Sequence, residues 1–593
     1  MSHLVFLLCS AIFFRVKALR NKGWFSIVWL IGALAALAIS GLRLFPAVAL
    51  ATLLSDDHSL TPVYMSYLQR AQWTFAILAL ALWPLTFAAP TLRRTARFLL
   101  HDLPDAIFLP AIAALSFGAT LWVQTFLFQG IPHVTDAISH LFQAKIFALG
   151  KLWTLAPPCF EHFLQFNISF TANGHWLTVY PPGHALTLLP FLKLHVLPLY
   201  GPTCTAISLL ACAWIVQRFY GRPLARAFAL LFLLSPMTLL IGGSYMSHVS
   251  LLLCASTALV LGIYGIDRVS AQRPAFAYFM GAGFLMGMGA IIRPQDVVLL
   301  IPPILIGALL GYRTLVPALR SAIPGILAGF AIPVTILLFW NHQVFGSAFA
   351  LGYGRTDIGS LTRGAVPIFG LTDTFTLRDA VVQLVWTLSR LDSALLGWPI
   401  SLPFIGFAFL RRSLDRRDAI CLAAIGLVIA FYFTYDYYAR EYEARFYAAF
   451  IPFLVVLVLR GLQRLDEWRP ARAAVPMLGL LLTLQAFAFY WPRYIVPNYG
   501  RNYEQASPVV DRLARQAGLS QALVLIDASG SNGFRYSSGF IYNDPLLTNE
   551  VIYALDLPGK NGCLFDAFPD RTIYRFLPDG DWTAGRFERL ARE

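Results

Sequence analysis

The stretch DAIFLPAIAALSFGATLWVQTFLFQGIPHVTDAISHLF, residues 105–142, joins a long apolar run to a short polar segment. The run over 106–130 is long enough to cross a bilayer, because a membrane-spanning helix takes about 20 mostly apolar residues. Directly after it comes an acidic residue, Asp136, between His133 and His140. This order predicts a membrane helix with a polar site at its edge.

The composition of the whole chain is that of a polytopic membrane protein. Of its 593 residues 58% are hydrophobic and only 13% are charged, whereas globular domains are about a quarter charged. The net charge of +14 is spread over short basic groups between apolar runs, the pattern of cytoplasmic loops. The charge therefore indicates membrane lipids as partners and argues against nucleic acid.

Apolar runs predict an all-α fold with about thirteen transmembrane helices. Basic groups fall between alternate spans, which places those loops on one side, the cytoplasmic side by the positive-inside rule. The predicted spans lie near 24–50, 72–90, 106–130, 203–217, 227–243, 249–266, 276–292, 297–311, 322–340, 383–410, 419–435, 446–460 and 474–491.

The remaining segments are predicted to face outward. They include the first outer loop, 131–180, the segment 341–380 and a more polar tail, 492–593. A β-like run, ALVLI, at 522–526 lies among turn-rich stretches and predicts a small α/β or irregular outer domain. The expected organisation is membrane helices over 1–105, a catalytic membrane module over 106–491 and an outer domain over 492–593.

The outer loop is predicted to contain an amphipathic helix from Asp136 to Leu149, because Gly150 is a usual helix stop. Asp136, Ser139, His140 and Gln143 fall on one helical face. Such a helix can lie along the membrane interface with its polar face turned to a cavity.

Asp136 is the candidate general base. It lies in the first helical turn, where the helix dipole favours a negative charge, and an ionised carboxylate is what a general base requires. The alternative is a helix cap or a solvated loop acid. The polar face shared with His140 favours a functional role.

Several short motifs, taken in order, resemble the GT-C superfamily of membrane glycosyltransferases, such as the protein O-mannosyltransferases and lipid A aminoarabinose transferases. An outward span leads to an outer loop that opens with an acidic residue and an amphipathic helix. The other matching motifs are VYPPGHALTLLP (179–190), SYMSHVS (244–250), RPQD (293–296), WNHQVFGSAFALGYG (340–354) and ARFYAAFIPFL (444–454).

The resemblance implies transfer of a sugar from a polyprenyl-phosphate carrier to a lipid, glycan or protein acceptor, with Asp136 as the base and inversion at the sugar carbon. A second acidic residue often follows directly in this family, but this chain has Ala137. We therefore expect no metal and no other cofactor, with a divalent metal as the open alternative. Glu161, His162 and His175 have no strong zinc-binding spacing.

Cations are needed for the departing phosphate, since a phosphodiester leaves as an anion. Lys145, Arg293, Arg440 and Arg445 lie at outward-facing positions, and arginine suits bidentate phosphate contact. The alternative for each is contact with lipid headgroups at the membrane surface.

Four further residues are candidates for binding the sugar or the acceptor: His140, Tyr180, His184 and His248. The alternative for each histidine is a structural polar residue with satisfied hydrogen bonds. For Tyr180, which precedes Pro181 and Pro182, the alternative is a rigid helix start.

Cys159 and Cys563 are the only cysteines in segments predicted to face outward. An oxidising compartment would allow a disulfide between them, but the sequence gives no distance, and two unpaired thiols are the expectation.

The expected location is a bacterial inner membrane, with the active site facing the periplasm. Two other functions remain open: a transporter or flippase for a lipid-linked saccharide, and a polysaccharide polymerase or ligase. A transporter of this kind is expected to carry inverted repeats, and the sequence shows none.

Overall fold

The computed structural model describes residues 91–310, 312–350, 352, 375–398, 401–409, 415–435, 441–467, 474–500, 502–529, 534–580 and 582–591. Two predicted spans, 24–50 and 72–90, lie outside the described residues, as does Arg440.

The chain forms two compact units. The first comprises residues 1–112, 213–238 and 369–494, and the second comprises 113–212, 239–368 and 495–593. In chain order the α-helices are α1 (Asp105–Trp122), α2 (Thr135–Ala148), α3 (Gly183–Lys193), α4 (Tyr200–Tyr220), α5 (Arg222–Leu234), α6 (Pro236–Gly243), α7 (Ser247–Ser270), α8 (Phe276–Ile292), α9 (Pro294–Leu310), α10 (Tyr312–Phe345), α11 (Leu377–Leu396), α12 (Pro403–Phe407), α13 (Arg416–Phe433), α14 (Ile451–Glu467), α15 (Ala474–Gln485), α16 (Val496–Tyr499), α17 (Val509–Gln516), α18 (Ser537–Phe540) and α19 (Gly562–Ala567).

Within the described ranges, five helical segments are long and apolar enough to cross a membrane, and a sixth forms if α5 and α6, bent by 59°, count as one span. The five are Asp105–Leu127, Leu197–Tyr220, Ser247–Ser270, Ala318–Phe345 and Arg445–Glu467. These residues therefore form a multi-pass membrane protein, and the count of thirteen spans stays a prediction.

Helix α2 confirms the helix predicted in the first outer loop. It ends at Ala148, and Gly150 follows with a left-handed φ of +71°, the conformation that favours glycine at a helix end. Its apolar residues differ from the expected interfacial placement, because Ile138, Leu141 and Phe142 are all buried in protein.

A small antiparallel sheet follows α2 in the same loop. Strands β1 (Thr154–Leu155), β2 (Ile168–Phe170) and β3 (His175–Thr178) pair in the order β1-β3-β2. Trp176 of β3 is fully buried and its ring lies 4.6 Å from that of Phe142. The sheet therefore packs directly on α2.

The second unit ends in a four-stranded sheet. Its strands are β4 (Ala522–Ile526), β5 (Val551–Leu555), β6 (Thr572–Pro578) and β7 (Gly585–Arg589), in the order β5-β4-β6-β7. Strand β4 pairs in parallel with both neighbours, and β7 is antiparallel to β6. The continuous apolar run of β4 suits a central strand that is buried on both faces, which confirms the strand predicted there.

The first unit holds two ion pairs between helices, each with at least one buried partner. Arg226 of α5 is buried and pairs with Asp105 of α1. Arg460 of α14 donates to Asp418 of α13 at 3.0 Å. Pairing is required because an unpaired charge in a protein interior is costly.

Candidate active site

The carboxylate of Asp136 lies in the first turn of α2 and receives two hydrogen bonds on one oxygen. Asn167 Nδ2 donates to Asp136 Oδ1 at 2.9 Å, and Tyr180 Oη donates to the same atom at 2.8 Å. The donors come from either side of the β2–β3 hairpin. The loop sheet therefore closes over the helix terminus that carries the acid.

The rings of Tyr180, His140 and His184 form a series within the second unit. The ring of His140 lies 4.6 Å from that of Tyr180 and 4.7 Å from that of His184, the latter edge-on. The structure thus brings together four of the predicted residues: Asp136, His140, Tyr180 and His184.

Both histidines of this ring series are uncharged near neutral pH. Burial lowers the pKa of His140 well below its usual value, and the positive charge of Arg293 lowers it further. Burial lowers the pKa of His184 to about 4. Neither imidazole is therefore a cation that could stabilise a leaving phosphate by its charge.

The hydrogen bonds of His184 fix its tautomer. Nε2 lies 2.9 Å from the carbonyl oxygen of Tyr245 and must donate, because a carbonyl oxygen only accepts. Nδ1 therefore accepts, and its partner at 2.9 Å is the hydroxyl of Ser250. His184 joins α3 to the start of α7, a structural role beside the predicted site.

Gly183 allows α3 to approach α8 closely. A Cβ at this position would lie 2.5 Å from the carbonyl oxygen of Ile291. The PPGH motif at 181–184 therefore brings His184 next to the end of α8, and Arg293 follows two residues after Ile291.

Arg293 is a buried cation of the same unit. Its Nε donates to Asp296, which is 1% exposed, and its Nη1 lies 3.5 Å from Ser247 Oγ. Asp296 fixes the orientation of the guanidinium group. The close approach of Gly183 to Ile291 places His184 at the end of α8 that Arg293 follows. His248, next to Ser247 on α7, is also buried.

Lys145 lies away from this cluster. It lies nine positions after Asp136 on α2, which is about 13 Å along the helix axis and half a turn around it. Its Nζ donates to the carbonyl oxygens of Ile541 and Asn543 at 2.6 and 2.9 Å. Burial lowers its pKa to about 8. The lysine thus ties α2 to the segment after α18.

Arg445 belongs to the first unit. It is buried, its Nη2 lies 3.3 Å from Glu441 Oε2, and its guanidinium group lies over the ring of Phe446. Its predicted role in binding phosphate stays a prediction.

Two other polar residues of the segment 131–180, Glu161 and His175, contact partners outside the cluster around Asp136. Glu161 pairs with Lys560 at 2.5 Å, and the ring of His175 stacks on Trp153 at 4.1 Å. Across the described residues, no group of three or more His, Cys, Asp or Glu side chains is placed to hold a metal ion.

Three residues of this site were not among the predicted ones. The only pattern in the sequence that includes Asn167 is a formal glycosylation sequon, NIS, at 167–169. Asp296 and Ser250 lie within the motifs RPQD and SYMSHVS. A buried arginine needs a partner of opposite charge. The acidic residue three positions after Arg293 in the RPQD motif could therefore have identified Asp296 from the sequence.

Cys159 and Cys563 form a disulfide, with their Cα atoms 5.9 Å apart. The expectation of two unpaired thiols was wrong. The bridge joins the loop between β1 and β2 to α19, and the Glu161–Lys560 pair lies beside it in sequence.

Residues 538–592 match a family described as a domain of unknown function (DUF7846). No curated protein matches the chain. Among solved structures it is similar to ArnT from Cupriavidus metallidurans in the apo state, at 14% identity and a TM-score of 0.39, over 63% of this chain and 62% of ArnT.

Two other solved structures are similar to a comparable degree. One is the oligosaccharyltransferase AglB from Archaeoglobus fulgidus, at 15% identity and a TM-score of 0.36, over 79% of this chain and 64% of that one. The other is the arabinofuranosyltransferase AftD from Mycobacteria, at 17% identity and a TM-score of 0.38, over 72% of this chain and 29% of that one.

The chain thus spans less than two thirds of the length of each of these three proteins. All three TM-scores lie below 0.5.

Proposed function

We propose that this protein is a membrane glycosyltransferase that moves a sugar from a polyprenyl-phosphate carrier to a hydroxyl acceptor, with Asp136 as general base. The observation that supports this most is the Asp136 carboxylate, which two neutral donors hold at the start of a helix directly after a membrane span. A held carboxylate at this edge suits activation of a hydroxyl group.

The reaction is a displacement at the anomeric carbon. The acceptor O–H bond breaks and its proton passes to the Asp136 carboxylate, while the acceptor oxygen forms a bond to the sugar. The bond from the anomeric carbon to the phosphate oxygen breaks, and its electron pair leaves with polyprenyl phosphate. Attack opposite to the leaving group inverts the anomeric centre.

Arg293 is the cation that we assign to the phosphate. It is buried near the ring series, and Asp296 holds its Nε and so sets the plane of the guanidinium group. Preorganised charge of this kind stabilises the developing negative charge without reorganisation. His140, Tyr180 and His184 shape the wall beside it as neutral groups.

We further propose that the first outer loop faces the periplasm of a bacterial inner membrane. The disulfide between Cys159 and Cys563 supports an oxidising compartment. The basic groups between alternate spans support the same orientation by the positive-inside rule.

The test is donor turnover by purified protein in lipid nanodiscs. Wild type, Asp136→Asn and the control Asp570→Asn, an exposed acid of the C-terminal sheet domain, are incubated with polyprenyl phosphates that carry a hexose, a pentose or an aminopentose. A crude envelope extract supplies acceptors, with and without chelator. Mass spectrometry follows the release of free polyprenyl phosphate.

We expect Asp136→Asn to lose about 10²- to 10⁴-fold in rate, the range of general base catalysis, and Asp570→Asn to match wild type. Equal turnover by Asp136→Asn would move the base elsewhere, with Glu161 as the next candidate. No turnover of any donor by well-folded wild type would favour the transporter. Consumption of polymer-linked carriers only would favour the polymerase or ligase.

A further inference from the structure

We propose that Asn167 is a positioning residue for the Asp136 carboxylate, and that the loop sheet holds Asn167 and Tyr180 on one oxygen of it. This inference rests on the proposed role of Asp136 as the base. It gives the NIS sequon at 167–169 a function other than glycosylation.

The side-chain amide nitrogen of Asn167 contacts the first turn of α2. Nδ2 donates to Asp136 Oδ1 at 2.9 Å and lies 3.1 Å from Thr135 Oγ1. An asparagine amide nitrogen carries two hydrogens, and these two contacts use both of them. Nδ2 is also the atom to which a glycan would be attached, so the contacts and the modification exclude each other.

The backbone of Asn167 explains why the side chain reaches α2. Its φ is +62°, in the left-handed region that asparagine adopts more readily than most residues. Its carbonyl oxygen accepts from Val179 N at 3.0 Å and from Thr178 Oγ1 at 3.3 Å. Asn167 therefore extends the β2–β3 pairing by one step beyond Ile168 and Thr178.

The added pairing of Asn167 with Val179 brings the two donors to Asp136, Asn167 and Tyr180, next to each other. Asn167 is hydrogen-bonded to Val179, and Tyr180 is the next residue of the chain. Both side chains then converge on Oδ1 of Asp136 from the same end of the hairpin. A strand pairing fixes such positions more rigidly than a loop would.

The sheet is itself fastened to α2. Gln143, on the same helical face as Asp136, accepts from Thr178 N at 3.2 Å and donates to the carbonyl oxygen of Leu152 at 2.9 Å. Gln143 therefore holds the end of β3 and the segment before β1 against the helix, which limits movement of the hairpin relative to the carboxylate.

The consequence for the chemistry concerns the orientation of the carboxylate. Oδ1 accepts both hydrogen bonds, which fix the plane of the carboxylate before the acceptor proton is transferred. Asn167 and Tyr180 touch Asp136 and set its orientation without contributing a proton to the reaction.

The test compares Asn167→Ala and Tyr180→Phe with a matched control, Ser169→Ala. Ser169 is 3% exposed, and its hydroxyl has no partner in the described part of the chain. Ser169→Ala abolishes the sequon but leaves the Asn167 contacts. The donor used is the polyprenyl-phosphate sugar that wild type consumes, and folding is checked by the thermal midpoint in nanodiscs.

We expect Asn167→Ala to lower kcat about 10- to 100-fold, the usual cost of one hydrogen bond to a charged group, with KM changed less than about threefold, since the interaction acts in the transition state. Tyr180→Phe should lose a similar factor, and Ser169→Ala should match wild type. In the Asp136→Asn background, Asn167→Ala should cost nothing further, because residues that act as a unit are not additive. Peptide mapping should return Asn167 unmodified.

Three results would overturn the inference: wild-type kcat in both Asn167→Ala and Tyr180→Phe, an equal loss in Ser169→Ala, or the full Asn167→Ala loss on top of Asp136→Asn. If Asn167→Ala fails to fold, the same comparisons are made with Tyr180→Phe, which keeps the ring beside His140.

Wild-type turnover by Asp136→Asn would instead contradict the proposed function. Loss in Asp136→Asn with none in the other two variants defeats only the positioning role.

Discussion

His184 is held as a neutral imidazole, and this makes the stability of the protein depend on pH. Its pKa in the folded protein is about 4, against 6.5 for an exposed histidine. The unfolded chain therefore binds a proton more readily than the folded one between these values. Stability is full above about pH 6.5 and falls as the pH decreases toward 4, by on the order of 3 kcal/mol from this residue.

We predict that the thermal midpoint of wild type falls between pH 7 and pH 5 and that His184→Gln makes this fall smaller. A glutamine amide can donate to the Tyr245 carbonyl and accept from Ser250, but it does not titrate. Differential scanning fluorimetry in nanodiscs measures both midpoints. The exposed His342→Gln serves as the control and should keep the wild-type dependence. An unchanged slope in His184→Gln would contradict the prediction.

The sequence predicted the positions of those site residues that follow the helical repeat of α2. The 3.6-residue repeat puts Asp136 and His140 on one face of α2, and the structure shows the ring of His140 against Tyr180. The same repeat puts Lys145 half a turn away, and its contacts are with the segment after α18. Asn167 was not predictable, because its role depends on a hairpin that no sequence pattern revealed.

At the scale of elements, the contact between α3 and α8 depends on one glycine. We predict that Gly183→Ala destabilises the protein by about 1–3 kcal/mol, the cost of an added group in a packed contact, and lowers turnover. The added Cβ would lie 2.5 Å from the carbonyl oxygen of Ile291 and would push apart the helices that bring His184 near Arg293. Thermal midpoints and donor turnover measure the two effects.

The matched control is Gly262→Ala, at a helical position of α7 where nothing lies within 4 Å of an added Cβ. Alanine is the better helix former by about 1 kcal/mol, so this variant should equal or exceed wild type in stability. If both substitutions had the same effect, the close approach of α3 to α8 would not be the cause.

The helices and strands differ in how clearly the sequence predicts them. Helix α2 was predicted to within a residue at each end, because Gly150 marks its stop and its polar face is regular. Strand β4 was predicted from five consecutive apolar residues. Strands β1 to β3 are two to four residues long, too short to show the alternation that identifies a strand.

At the scale of the molecule, the sequence could place Cys159 and Cys563 on one side of the membrane but could not give the distance between them. They are 404 positions apart, and only tertiary structure brings such residues together. The composition did indicate a multi-pass membrane protein, because a 13% charged fraction leaves too few polar residues for a soluble surface of this size.

The disulfide leads to a prediction about the stability of the second unit. Replacing Cys563 by Ser should lower the thermal midpoint under oxidising conditions, since a native disulfide contributes about 2–4 kcal/mol, chiefly by restricting the unfolded chain. Wild type treated with a reductant should fall to the same midpoint, and the reductant should leave Cys563→Ser unchanged. Cys204→Ser, at a buried free thiol, controls for the loss of a sulfur atom and should keep the response to reductant.

The same bridge tests the orientation of the chain, because it forms only where the compartment is oxidising. Cells are treated with an alkylating reagent before lysis, and non-reducing peptide mapping then follows the peptides that contain Cys159 and Cys563. Recovery of the linked pair from wild type, with Cys204, Cys212 and Cys254 as free thiols, would agree with a first outer loop on the periplasmic side. Recovery of Cys159 and Cys563 as alkylated thiols would place the loop in a reducing compartment and, with it, the Asp136 carboxylate on the opposite side from the one proposed.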